Sequence, residues 1–138
     1  MSTVKQEGDK LTAICKEVSR QHISLYAQAS GDFNPIHIDR EYAENSEFGD
    51  NIAHGMMVAA SISELMGANF GHNWGETGKM KIRFRHPVFP GDVVTTSGFV
   101  NKVTQIGEKT LVQCTVSVSR QTGEKVISGD TSVTLTKQ

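Results

Sequence analysis

The chain is expected to fold as one α+β domain in which an antiparallel sheet wraps around a single long helix. Three observations predict this. Residues 56–70 read as a helix whose first half (Met56, Met57, Val58, Ala59, Ala60, Ile62) is apolar or small on every side, and a helix apolar all round is buried all round. Lys79 to His86 alternates strictly, with Met80, Ile82, Phe84 and His86 facing one way and Lys79, Lys81, Arg83 and Arg85 the other, as in a strand. Three further β-rich runs follow, separated by glycine turns, which makes an antiparallel meander.

Taken in order, residues 1–10 are polar and expected to fray. Residues 11–19 alternate apolar positions (Leu11, Ala13, Cys15) and read as a first strand. Ser19 is a suitable N-cap for a helix through Ala29 with Ile23, Tyr26 and Ala27 on one face, stopped by Gly31. Asp39 caps a short helix containing Tyr42 and Ala43, and residues 45–51 form a loop. The long helix and the alternating strand come next, then a turn over 87–92 through Pro90-Gly91. Strands are expected at 93–103, 110–119 and 125–136, with turns at Gly107 and Gly123. One strand, a helical region and about four antiparallel strands make a domain of the hot-dog type, spanning residues 11–138. Its sheet edges invite pairing with a second copy, so a homodimer is expected.

With 138 residues the chain buries enough surface to fold without disulfide or metal. A net charge of −1 gives no drive toward nucleic acid or anionic membrane, and no apolar run is long enough to span a bilayer. The two cysteines, Cys15 and Cys114, fall in strands and read as reduced side chains. The polar start lacks a signal-peptide core, so a cytoplasmic location is expected.

Chemistry concentrates in Gly31-Asp32-Phe33-Asn34-Pro35-Ile36-His37. A loop stiffened by Pro35 carries a carboxylate, an amide and an imidazole, so Asp32 and His37 can address one small volume as proton-transfer groups. A second segment, Ala53-His54-Gly55-Met56, opens the long helix. The Gly55 N–H lies at the positive end of the helix dipole, suited to charge developing on a carbonyl oxygen, and glycine lets a ligand approach the backbone. His54 reads as a structural residue orienting that loop. Ser63, two turns beyond Gly55, is the candidate lining an acyl pocket. His22, His72 and His86 have no ligand spacing, and no metal is expected. The basic stripe Lys79, Lys81, Arg83 and Arg85 reads as a solvated strand face, with phosphates or an acidic carrier as its other reading.

Three stretches together resemble the MaoC-like, (R)-specific enoyl-CoA hydratase family, also called hydratase 2. They are Tyr26 to His37 with Ala43 beyond it, Ile52-Ala53-His54-Gly55-Met56, and Arg83 to Asp92. The resemblance implies a dimeric hot-dog protein that adds water to trans-2-enoyl thioesters of CoA or an acyl-carrier protein, without a cofactor. It implies that Asp32 and His37 activate one water, that Asn34 shapes the same loop beside the substrate, and that the Gly55 N–H binds the thioester carbonyl. Two other readings of the fold are a thioesterase and a non-catalytic acyl-binding subunit of a heterodimeric dehydratase. An intact Asp32/His37 pair weighs against both.

Overall fold

The computed structural model describes residues 5–136. Its elements are β1 (Ile14–Glu17), α1 (Arg20–Ser30), α2 (Pro35–Ile38), α3 (Arg40–Glu44), α4 (Gly55–Phe70), α5 (His72–Thr77), β2 (Lys79–Phe84), β3 (Val93–Ile106), β4 (Lys109–Arg120) and β5 (Lys125–Leu135). The strands form one antiparallel sheet in the order β1-β3-β4-β5-β2, curled against α4. This is the hot-dog arrangement expected from the sequence.

The meander β3-β4-β5 forms as expected. The alternating strand does not extend it in sequence order: β2 pairs with β5 at the far edge, Lys79 opposite Ser132 and Phe84 opposite Ile127. The segment between β2 and β3 supplies the reason. Pro87 and Pro90 remove two ladder donors, and the Ala53 N–H bonds the Val88 carbonyl (2.8 Å), so this segment serves as a crossing rather than a hairpin. The first strand is shorter than the alternation suggests, beginning at Ile14. The segment before it is nevertheless attached: Gly8 N–H bonds Val100 O and Val100 N–H bonds Asp9 O, each at 2.8 Å. Residues 1–4 of the expected fraying end lie outside the described residues.

Val58, Ile62, Leu65, Met66 and Phe70 of α4 are buried in one core with Val112, Val116, Val118, Ile127 and Val133 of the sheet. Burying a Val, Leu or Ile side chain of this kind contributes roughly 1.5–3 kcal/mol. Core hydroxyls are satisfied: Thr96 donates to Ser61 Oγ (2.8 Å), which donates to Val58 O (2.6 Å). The expectation that α4 is buried all round is not met within one chain. Met56 is 64% exposed, and Ala60 and Ser63 on the same helical face are also exposed. A five-stranded sheet covers one side of a helix, and the other side is left open.

Candidate active site

Two loops meet at the start of α4. In the first, Ser19 accepts the His22 N–H and begins α1, and Gly31 ends it in the left-handed region at φ 78°. Asn34 then caps α2, its Oδ1 accepting the Ile36 N–H (3.1 Å), with Pro35 at the first helical position. This one-turn helix lifts His37 toward the second loop. The Ile52 N–H bonds Ile36 O (3.2 Å), and buried Asn51 donates to Ile36 O and Asp39 O (3.0 and 3.1 Å). Arg20 clamps the same place, donating to Asn51 Oδ1 and Asp50 Oδ1, each at 2.9 Å. Arg20 leads the causes that hold the Asp50 carboxyl below its ordinary value.

The His37 Nδ1 lies 2.7 Å from Ile52 O. A carbonyl oxygen only accepts, so Nδ1 carries the hydrogen and the neutral ring presents its Nε2 lone pair on the other side. That Nε2 lies 4.0 Å from Asp32 Oδ2; the His37 side chain is 11% exposed and that of Asp32 is 53% exposed. Atoms 4.0 Å apart do not hydrogen-bond each other directly, yet one water at about 2.8 Å can touch both.

His54 is 2% exposed and packs between these groups. Its ring stacks on His37 with centroids 3.8 Å apart and planes at 25°, and Tyr26 lies against its other surroundings at 4.8 Å. Its Nε2 donates to the Asp32 backbone carbonyl (2.9 Å), which fixes the height of the Asp32 loop. The orienting role read from sequence is the one the contacts describe. What sequence did not indicate is the stacking, or that His54 Nδ1 is buried without a partner among the described residues.

Ligand atoms of Asp32, His37 and His54 lie within 4.8 Å of one another. The stacking argues against a shared ion. An imidazole gives its lone pair in the ring plane, and two rings stacked 3.8 Å apart direct theirs side by side rather than at one point.

The Gly55 N–H has no acceptor among the described residues, and Gly55 is exposed. It opens a cavity of about 300 Å³ lined by His37, Phe48, Val58, Phe84, Arg85 and Ile127, with His86 and Pro87 at its side. A Cβ at residue 55 would stand 3.0 Å from Phe84 Cε1, so glycine keeps this mouth clear. His37 and Gly55 therefore share a cavity, with Asp32 beside His37. Ser63 is not among its lining residues: the Ser63 hydroxyl accepts the Trp74 indole N–H at 2.8 Å. The lining by Phe84, Arg85 and His86 was missed in the sequence. The signal was their place at the end of the one clean alternating strand.

A family model, the MaoC like domain, matches residues 3–122. The (R)-specific enoyl-CoA hydratase of Rhodospirillum rubrum is 33% identical over 132 residues, covering 93% of this chain and 86% of that protein. The 3-hydroxybutyryl-CoA dehydratase of Methylorubrum extorquens is 31% identical over 123 residues, covering 89% and 76%. Among solved structures, the (R)-hydratase from A. caviae involved in PHA biosynthesis has a TM-score of 0.82 at 27% identity, over 96% of this chain and 98% of that one. With a family match over most of its length, and the fold that its solved relatives share, the chain belongs to the MaoC-like domain family.

Proposed function

We propose that this protein is a hydro-lyase that reversibly adds water to trans-2-enoyl thioesters, giving (R)-3-hydroxyacyl thioesters. The observation that carries the reading is the 4.0 Å gap between Asp32 Oδ2 and His37 Nε2, beside a Gly55 N–H that meets no acceptor among the described residues. One water bridging the pair would lie over the double bond of an enoyl group whose carbonyl oxygen accepts the Gly55 N–H. The water oxygen bonds to C3 as an O–H bond breaks, its proton passing to the Asp32/His37 pair. The C2–C3 π electrons move onto the thioester oxygen, where the Gly55 N–H and the α4 dipole favour the charge. The same pair then returns a proton to C2, and the net change is one water added from one face. Asn34 supports the site as the cap that sets the His37 turn.

Buried Val58, Val126 and Ile127 are among the cavity's lining residues, and about 300 Å³ lies at the small end of ligand sites, which run roughly 300–1,000 Å³. Short acyl chains are the substrates this favours. The active form in this reading is a homodimer. The exposed Met56, Ala60 and Ser63 face of α4 and the unpaired edge of β2, with Met80 and Phe84 exposed, form one candidate surface for it. The compartment in this reading is the cytoplasm, where an exposed thiol such as Cys15 stays reduced.

The test follows the absorbance of the conjugated double bond with enoyl-CoA thioesters of increasing chain length. Turnover of crotonyl-CoA well above that of dodecenoyl-CoA supports the reading. Release of free CoA from saturated acyl-CoA, or activity only after a second subunit is added, would replace it with a thioesterase or a partner subunit.

A further inference from the structure

On the face of the sheet away from α4 lies a groove of about 870 Å³. Lys81, Arg83 and Arg85 line it from β2 and the residue after it, Lys125 from the start of β5, and Lys10 from the segment before β1. Asp130 is the one carboxylate among its described lining residues. None of the five cations is in an ion pair among the described residues. In a chain of net charge −1 this is a concentrated positive site rather than a diffuse bias.

The floor is built for a polar guest. Ser97, Ser117, Ser128 and Arg83 stand opposite one another across four adjacent strands. At about 4.8 Å per strand this row spans roughly 14 Å. Arg85 Nε donates to Ser128 Oγ (2.6 Å), which ties that guanidinium to the row. The next row runs Phe99, Thr115, Asp130, Lys81, so an aromatic ring and an ammonium face each other across the groove. Phe99 is 44% exposed. Arg85 also lines the apolar cavity at Gly55, so the two spaces share a wall.

We propose that this groove receives the phosphorylated nucleotide end of a coenzyme A thioester. Phe99 lies against the adenine, and Lys81, Arg83, Arg85 and Lys125 surround the phosphates; the acyl end lies beyond Arg85 in the Gly55 cavity. This inference rests on the thioester hydratase reading and selects CoA over a carrier protein as the substrate handle. Two alternatives fit less well. An acidic carrier helix packs through apolar anchors, and among hydroxyls and cations this floor offers it a single aromatic. A second copy placed face to face would oppose two sets of like charges.

The test uses the full chain and two measurements. Calorimetry with adenosine 3′,5′-bisphosphate is expected to show binding to the wild type, weakened about tenfold in the Lys81→Gln, Arg83→Gln double variant, the order expected when two charge-assisted phosphate contacts are lost. Kinetics with crotonyl-CoA and crotonyl-pantetheine is expected to show a lower KM for the CoA ester in the wild type, a preference that shrinks in the double variant and at high salt. Equal KM values for the two esters in the wild type, or undiminished binding in the variant, overturn the proposal. So does faster turnover of a crotonyl-carrier protein than of crotonyl-CoA. If neither ester is hydrated while the bisphosphate binds as expected, the hydratase reading fails and the nucleotide site stands.

Discussion

If Asp32 and His37 act on one shared water, removing both should cost no more than removing either. The geometry makes the effects of the two substitutions interdependent: Nε2 and Oδ2 are 4.0 Å apart, with room for one bridging water and for no direct bond. A positioned acid or base contributes typically about 10²–10⁴-fold to rate. Asp32→Asn and His37→Ala are each expected to lower kcat/KM for crotonyl-CoA by about 10³-fold, and the double variant by about the same factor, as for groups that act as a unit. Independent groups would multiply to about 10⁶. Folding does not obscure the result. Asp32 Oδ1 accepts the Asn34 N–H at 3.2 Å, a bond that the asparagine oxygen retains. His37→Ala loses both the bond to Ile52 O and the stack on His54, a cost of about 1–3 kcal/mol, which urea unfolding of each variant reads directly. A double variant that loses the product of the two single effects, or single variants within tenfold of the wild type, would refute the shared water.

Gly55→Ala should lower kcat with little change in stability, since the new methyl meets only the exposed Phe84 ring at 3.0 Å yet crowds the N–H at the cavity mouth; steady-state kinetics beside thermal melts checks this. Acid stability should depend on Asp92. Burial alone would raise its carboxyl, but hydrogen bonds from Arg120, Gln121 and the Phe89 N–H outweigh it and hold the group below its ordinary value of 3.8. A depressed folded-state value means that this contribution is complete above pH 3.8 and is lost as pH falls through the lower folded value. Asp92→Asn should therefore cost about 2 kcal/mol at neutral pH and flatten the acid limb of urea-derived stability against pH. Alkylation of the native protein at neutral pH should modify exposed Cys15 and spare Cys114, whose thiol burial pushes up to about 11; peptide mapping of the labelled protein tells them apart.

Much of this architecture is readable in the residues because the signals are local. Alternation over residues 79–86, glycine turns at 107 and 123, and an apolar run after Gly55 each report on their own backbone. Asp32 and His37 were legible for the same reason, being five residues apart on one stiff loop. What escaped the reading depends on distant partners. The β2 strand lies beside β5 because of a crossing held by the Ala53–Val88 bond, which no periodicity encodes. The short helices α2 and α5 are too brief for a 3.6-residue pattern to appear. Apolarity of α4 showed that its surface needs cover without showing that one chain covers only one side. His54 looked like a loop residue because the stacking on His37 joins positions 17 apart. The basic stripe is exposed, as its reading as a solvated face expects, and what periodicity does not encode is that strand pairing brings Lys10, Lys125 and Phe99 to the same face.

One carboxylate–imidazole pair and one backbone N–H are expected to hydrate an enoyl thioester from a single face. Hydration of crotonyl-CoA in D₂O, with the configuration at C2 and C3 of the product assigned by NMR and chiral analysis, checks this. The expected product carries a 3R hydroxyl and a deuterium at C2 added on the same face. A 3S product, anti addition, or recovery of unreacted thioester would contradict it.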